Sequence, residues 1–362
     1  MKFPCIIAEA LLAPESLKQY TAQDWDLLVR QGRRANLLAK LTSQLECSDL
    51  LSNVPEAPRL HLISALKMTK QQNVGMRWEI DCIHEALAGL NIPVVILKGA
   101  AYLASELEIA LGRNFSDVDI LVPKELIGKV ESHLMIHGWN GSNHDEYDQK
   151  YYRQWMHEIP PMRHVVRGTT IDVHHSILPE TARIKVNSSL LFDHIQQVPG
   201  KENIFVLDPV DMVLHSATHL FHEGELENGL RDLFDLDGLF KQLNNNPAYW
   251  EEINFRATKL GVDRPLFYAI RYTTQILNTL IPSPVISQSM ASKPSPITLA
   301  IIDFCYKKSL QPVHSSCNSF GTSLARSILY LRSHWIRMPF LMLAHHLGRK
   351  WFMNITKSKT NS

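Results

Sequence analysis

The sequence predicts an α+β protein: a small mixed β-sheet core flanked by N- and C-terminal helical segments. Three observations predict it. Apolar residues recur at helical spacing through residues 1–90, short β-branched and alternating runs cluster between 91 and 200, and helical spacing resumes through 201–362. With 362 residues and 45% hydrophobic content, the chain holds enough apolar material for a sizeable core. The expected organisation is therefore a helical N-terminal segment (1–90), a sheet core (91–200) and a helical C-terminal region ending in a basic tail (201–362). No internal repeat is present.

Thr21-Ala-Gln-Asp24 has the form of a helix start, followed by Trp25, Leu28 and Val29 and then Leu37, Leu38 and Leu41 at helical intervals. Pro55 and Pro58 interrupt the pattern. A long helix is expected from about Leu60 to Leu90, with its apolar stripe through Leu62, Leu66, Met76, Ile80, Ile83 and Leu87. Ile92-Pro-Val-Val-Ile-Leu97 reads as a buried strand ending at Lys98-Gly99, and Ala100–Leu111 as a helix. Asp117-Val-Asp-Ile-Leu-Val122 alternates polar and apolar residues like a strand, and Pro123 opens the next helix. Arg163–Val166 and Thr170–His174 form a hairpin through Gly168. Helices follow from Asp211, with breaks at Asn244-Asn-Asn-Pro247 and at the Pro/Ser-rich stretch 282–296.

The bulk numbers exclude several classes. Five scattered cysteines with no C-x-x-C pair argue against a disulfide framework or a zinc ribbon and fit reduced thiols in the cytosol. The short N-terminal apolar run is broken by Glu9 and does not read as a signal peptide. No stretch is long enough and apolar enough to span a bilayer; the nearest, Met338–Gly348, contains Pro339, His345 and His346. The expected location is cytoplasmic, with a peripheral place at the inner membrane as the variant. The net charge of +1 hides an uneven distribution. Residues 1–303 carry 28 Lys/Arg against 36 Asp/Glu, whereas residues 304–362 carry nine Lys/Arg and no acid.

The most informative stretch runs from Val94 to Val122. A strand ends in glycine, a helix follows, and the next strand opens with Asp-x-Asp. Residues i and i+2 of a strand share a face at about 6–7 Å, so Asp117 and Asp119 converge while Val118 and Ile120 turn into the core. Hard carboxylate oxygens of this kind suit Mg²⁺, which retains water and phosphate ligands. Asp172, on a later strand, is the candidate to complete a two-metal site.

Leu97-Lys-Gly-Ala-Ala101, Arg113, Ser116-Asp-Val-Asp-Ile-Leu-Val122 and Ile171-Asp-Val-His174 resemble the polymerase-β-like nucleotidyltransferase superfamily. More narrowly they are similar to its uncharacterised bacterial nucleotidyltransferase family, often found beside polysaccharide or peptide-product biosynthesis genes. His215-x₃-His219 and Leu230-Arg-Asp-Leu-Phe-Asp235 match that family's helical region. The resemblance implies a nucleotidyltransferase core and Mg²⁺-dependent transfer of a nucleoside monophosphate from a nucleoside triphosphate, ATP for preference. By position it gives Asp117, Asp119 and Asp172 the metal ions and the chemistry, and puts Lys98, Gly99, Arg113, Ser116 and His174 around the nucleotide. The acceptor stays open among a sugar or glycan intermediate, a small metabolite, a peptide and a tRNA 3′ end. Two departures stand out: Gly99-Ala100 replaces the usual Gly-Ser or Gly-Gly, and the interval from Gly99 to Asp117 is long.

Other residues carry competing readings. Lys98 is a phosphate ligand or a snorkelling strand end; Arg113 neutralises phosphate or orients Asp117 or Asp119; His174 touches substrate or simply closes a strand. His215, His219 and His222 share one helix face, with Glu223 and Glu225 near, so a metal hydrolase is the alternative chemistry. A catalytically silent binding module of the same fold is the other. In the basic tail, Leu324, Ile328, Leu331 and Trp335 form an apolar stripe among arginines, and Phe340, Trp351 and Phe352 follow. That stripe packs on the core, lies on an anionic membrane, or accompanies an RNA-binding surface.

Overall fold

In the computed structural model, which describes residues 5–141, 152–153, 155–222 and 224–338, four helices lead the chain. They are α1 (Ile6–Leu12), α2 (Ala22–Arg34), α3 (Leu38–Cys47) and α4 (Glu56–Leu87). Thr21 starts α2 with a capping box: its hydroxyl accepts from the Asp24 amide, and the Asp24 carboxylate accepts from the Thr21 amide at 2.9 Å. Such a cap is worth about 1 kcal/mol. Helix α4 begins at Glu56 rather than Leu60, because Pro58 falls in its first turn, where a missing N–H breaks no bond. Its stripe of Leu62, Leu66, Ile80, Ile83 and Leu87 is buried, and Met76 is half-buried against the same core.

Seven strands build one mixed sheet in the order β3-β4-β5-β2-β1-β7-β6. They are β1 (Val94–Ile96), β2 (Val118–Leu121), β3 (Trp139–Gly141), β4 (Met162–His164), β5 (Thr170–His174), β6 (Ile195–Gln197) and β7 (Ile204–Leu207). At its centre β1 runs antiparallel to β2 and parallel to β7, and β2 runs parallel to β5. The β4–β5 hairpin turns at Gly168, whose φ of +70° is costly for a residue with a Cβ. The sheet continues to Leu207, past the expected limit of the core at residue 200.

Between β1 and β2, helix α5 (Lys98–Ala104) is shorter than the expected Ala100–Leu111. Glu106 takes a left-handed turn (φ 54°), and a single 3₁₀ turn at Glu108–Ala110 follows. Helix α6 (Ile127–Ile136) is entered through a 3₁₀ turn at Lys124–Leu126 directly after Pro123.

The C-terminal helices are α7 (Pro209–His222), α8 (Gly229–Gln242), α9 (Pro247–Leu260), α10 (Asp263–Tyr272), α11 (Ser283–Ser289), α12 (Pro296–Ser309) and α13 (Thr322–Arg337). Helix α7 is buried along almost its whole length and joins the two parts, touching β7 and α5 on one side and α8, α9, α10 and α13 on the other. A bidentate Arg256–Asp211 ion pair (2.5 and 2.8 Å) ties it to α9. Apolar residues from Cys5 to Leu329 form a single core.

The stripe expected to hold α13 on the core faces mostly outward. Leu324 and Leu331 are 60% and 55% exposed, Trp335 is exposed, and only Ile328 is half-buried. The packed face is instead Thr322, Ala325, Leu329 and Ser333, mostly small residues that let α13 lie close to α12. Periodicity identifies which residues share a face, and here the less apolar face packs inward. Glu223 and the tail residues Phe340, Arg349, Lys350, Trp351 and Phe352 lie outside the described residues. Among the described residues no helix is long and apolar enough to cross a membrane.

Candidate active site

The parallel pairing of β2 with β5 sets Asp119 directly beside Asp172. Adjacent strands lie about 4.8 Å apart, so two carboxylates on one sheet face are forced together. His174 is two residues beyond Asp172 and shares its face. Its Nε2 donates to Asp119 Oδ1 at 2.9 Å. The same oxygen accepts from Lys98 Nζ at 2.6 Å. The site is therefore written by strand register: β1 delivers Lys98 at its end, β2 delivers Asp119, and β5 delivers Asp172 and His174.

Lys98 pays for its place with a left-handed backbone (φ 50°), unusual for a residue with a Cβ and worth about 1–2 kcal/mol of strain. Burial by itself would lower its pKa, but the adjacent Asp119 outweighs burial and holds the amine above its ordinary range. For Asp119, burial pushes upward; Lys98 and His174 together overcome it and keep this 4%-exposed carboxylate ionised. Asp172 has no such partner. Burial, reinforced by the charges of Asp119 and Glu158, pushes its pKa up to about 7. Its Oδ1 is buried and makes no hydrogen bond. An orphaned carboxylate oxygen opposite an ionised one is what a divalent cation would satisfy, so the residues fit a metal.

Asp117 sits just ahead of β2, half-buried, and its Oδ1 accepts from Ser116 Oγ at 2.7 Å. Its charge reaches both Lys98 and Asp172. Gly99 and Arg113 stand in a different relation from the expected one. Arg113 Nε donates to Asp235 Oδ2 at 2.7 Å, so its ion pair is with α8 and not with Asp117 or Asp119. The guanidinium lies over the rings of Tyr102 and Phe115 at 5.5 and 5.3 Å. A Cβ on Gly99 would come within 1.9 Å of Arg113 Nη1. The glycine therefore makes room for a buried arginine.

Four further residues meet the site without having been singled out for it. Glu158 Oε2 lies 3.3 Å from His174 Nδ1, on the side of the ring away from Asp119. His157 stacks obliquely on His174, ring centres 5.2 Å apart. Asp235, which closes the Leu230–Asp235 motif, is the anchor of Arg113. Arg337, at the end of α13, adds to the effect of burial in lowering the pKa of His157, His219 and His222. The α13 terminus reaches this region because Thr181 Oγ1 and the Arg183 amide donate to the carbonyls of Arg337 and Ile336 at 2.7 and 2.9 Å. The end of the basic α13 thus comes near His157, beside the site.

Among the described residues, His215, His219 and His222 of α7 do not form a group with converging ligand atoms. Burial pushes His215 down to about 3 and His222 down to about 4, and His222 Nδ1 is hydrogen-bonded to the Thr218 carbonyl at 3.1 Å. Among the described residues the triad with convergent ligand atoms is His157, Glu158 and His174.

An Asp pair across parallel strands, with a lysine on one of its carboxylates, thus forms the centre of the candidate site. Comparison with protein families matches residues 21–278 to the uncharacterised nucleotidyltransferase family. The chain belongs to that family. Its activity class is nucleotidyl transfer, its substrate a nucleotide, and nucleotidyltransferases of this kind generally use a nucleoside triphosphate and a divalent metal. Comparisons with curated proteins and with solved structures give no match. The family match covers the sheet and helices α2 to α10 but ends before α12 and α13. Arg337 is therefore a feature of this chain that the family match does not include.

Proposed function

We propose that the protein transfers a nucleoside monophosphate from a nucleoside triphosphate, ATP for preference, to an acceptor hydroxyl in an Mg²⁺-dependent reaction. The observation that carries the proposal is the pair of dissimilar carboxylates: Asp119 ionised by Lys98 and His174, and Asp172 with an unpartnered buried oxygen. Asp117, Asp119 and Asp172 are the residues that would hold Mg²⁺, whose chemistry is to neutralise the phosphates and stabilise the charge on the attacking and leaving oxygens. Lys98 keeps Asp119 in position and adds positive charge where the triphosphate lies. Asp172 accepts the proton of the acceptor hydroxyl. The acceptor oxygen forms its bond to the α-phosphorus as the bond to the β-phosphate oxygen breaks, and pyrophosphate leaves. His174 orients Asp119, and Ser116 orients Asp117.

Gly99 and Arg113 act in this reading one layer behind the nucleotide. They fix the start of α5, from which Lys98 projects. The acceptor belongs to the set of sugar or glycan intermediates, small metabolites, peptides and tRNA 3′ ends, in polysaccharide or natural-product biosynthesis. The reaction is placed in the cytoplasm.

The test is pyrophosphate release from each of the four common nucleoside triphosphates in a mixed acceptor screen with Mg²⁺. The expected result is release with at least one acceptor class, abolished in Asp117→Asn and in Asp119→Asn. Full turnover in both variants would sink the assignment.

A further inference from the structure

We propose that His157, Glu158 and His174 form a second cation site, chemically distinct from the carboxylate site, that takes a borderline divalent ion of the Zn²⁺ class. One ligand atom from each residue lies within 4.8 Å of the other two, close enough for one ion to gather them with small side-chain movement. Two imidazoles and one carboxylate favour Zn²⁺, Co²⁺ or Ni²⁺ over Mg²⁺, which prefers all-oxygen shells.

Three observations carry the proposal beyond proximity. First, the Nε2 side of His174 is taken by Asp119 at 2.9 Å. The other ring nitrogen, Nδ1, faces the Glu158 carboxylate at 3.3 Å. A carboxylate on one ring nitrogen and a metal on the other is the usual way a histidine ligand is oriented. Second, Nδ1 of His157 is buried and has no hydrogen-bond partner. A buried nitrogen without a partner is costly, and coordination satisfies it. Third, all three residues are fastened to one strand. The His157 carbonyl accepts from the amides of His175 and Ser176 at 2.8 and 3.3 Å, Glu158 bridges to His174, and the Ile159 amide donates to Val173 at 3.0 Å. Ligands held on sheet backbone keep their geometry better than ligands on a free loop.

Three protein ligands leave a fourth position open, the pattern of a zinc site that also binds water or a substrate atom. The surrounding charge permits the ion: Asp117, Asp119, Glu158 and Asp172 gather on the same sheet face, against Lys98 and the nearby Arg337. The site does not depend on nucleotidyl transfer, and its test uses no nucleotide.

The experiment is a titration of the chelator-stripped full chain with CoCl₂, read by visible absorption, then displacement by ZnCl₂ or MgCl₂. The expected result is one bound Co²⁺ with the absorption of a four- or five-coordinate complex, displaced by Zn²⁺ and not by Mg²⁺. His157→Ala and Glu158→Gln should each lose it, and the isosteric Glu158→Gln serves if the alanine variant does not fold. Asp119→Asn, which removes the group orienting His174, should weaken Co²⁺ by about 10–100-fold. Asp117→Asn should leave the absorption intact. Absence of Co²⁺ binding, displacement by Mg²⁺, an absorption indifferent to His157→Ala and Glu158→Gln, or its loss in Asp117→Asn would each overturn the proposal.

Discussion

At Lys98 backbone strain and side-chain chemistry meet. The left-handed φ of 50° has no local reward, since a glycine would hold that conformation without strain. The reward is the 2.6 Å contact with Asp119. Lys98→Gly should therefore relax the backbone yet leave Asp119 buried beside His174 alone. Calorimetric unfolding should show a net loss of about 1–3 kcal/mol, the cost of a buried charged group with a missing partner. A gain in stability would mean that the lysine serves chemistry alone. Asp172 offers the complementary test. Its folded pKa of about 7 lies above the unfolded value near 3.9, so the metal-free folded chain binds this proton more tightly than the unfolded chain. This contribution is full below the unfolded value and is lost as pH rises from about 4 to about 7, at no more than about 1.4 kcal/mol per pH unit. Asp172→Asn should remove that slope and raise the melting temperature at pH 8. A melting temperature unchanged or lowered at pH 8 would show that Asp172 is not under this strain.

At the scale of elements, α5 and α8 are locked through Arg113 and Asp235. Both side chains are almost wholly buried, so removing one leaves a desolvated charge. Asp235→Ala should cost about 3–5 kcal/mol in a denaturant titration. Gly99→Ala should cost about 1–3 kcal/mol by driving a Cβ into a guanidinium that Asp235 and two aromatic rings prevent from moving. If both variants match the wild type in stability, the α5–α8 lock is not structural. These contacts also mark what the sequence made legible. Asp119 and Asp172 were readable because each sits in an alternating run, where period two assigns a face. The Arg113–Asp235 pair was not, because 122 residues separate its members and no local pattern links them. His157 and Glu158 stand outside the named strands, beside β5 at an isolated bridge, so they carry no periodicity to read. In α13 the period was right and the face was wrong: close packing on α12 favoured Ala325 and Ser333 over the larger Leu324 and Leu331.

For the whole molecule, the uneven charge has a spatial meaning. The acid-free C-terminal segment returns along α13 and docks on Thr181 and Arg183, bringing Arg337 toward the histidines around an acidic centre. Arg332 also donates to the Phe221 carbonyl at the end of α7 (3.0 Å). A truncation after residue 320 should therefore destabilise α7 as well as remove α13, seen as lost amide protection along Pro209–His222. Unchanged protection there would make α13 a simple appendage. The measurement that bears most directly on the nucleotidyltransferase site is a crystal structure of the full chain with Mg²⁺ and a non-hydrolysable nucleoside triphosphate. The triphosphate should lie against Lys98, with Mg²⁺ coordinated by Asp119 and Asp172; a nucleotide bound elsewhere, or no metal at those carboxylates, would contradict it.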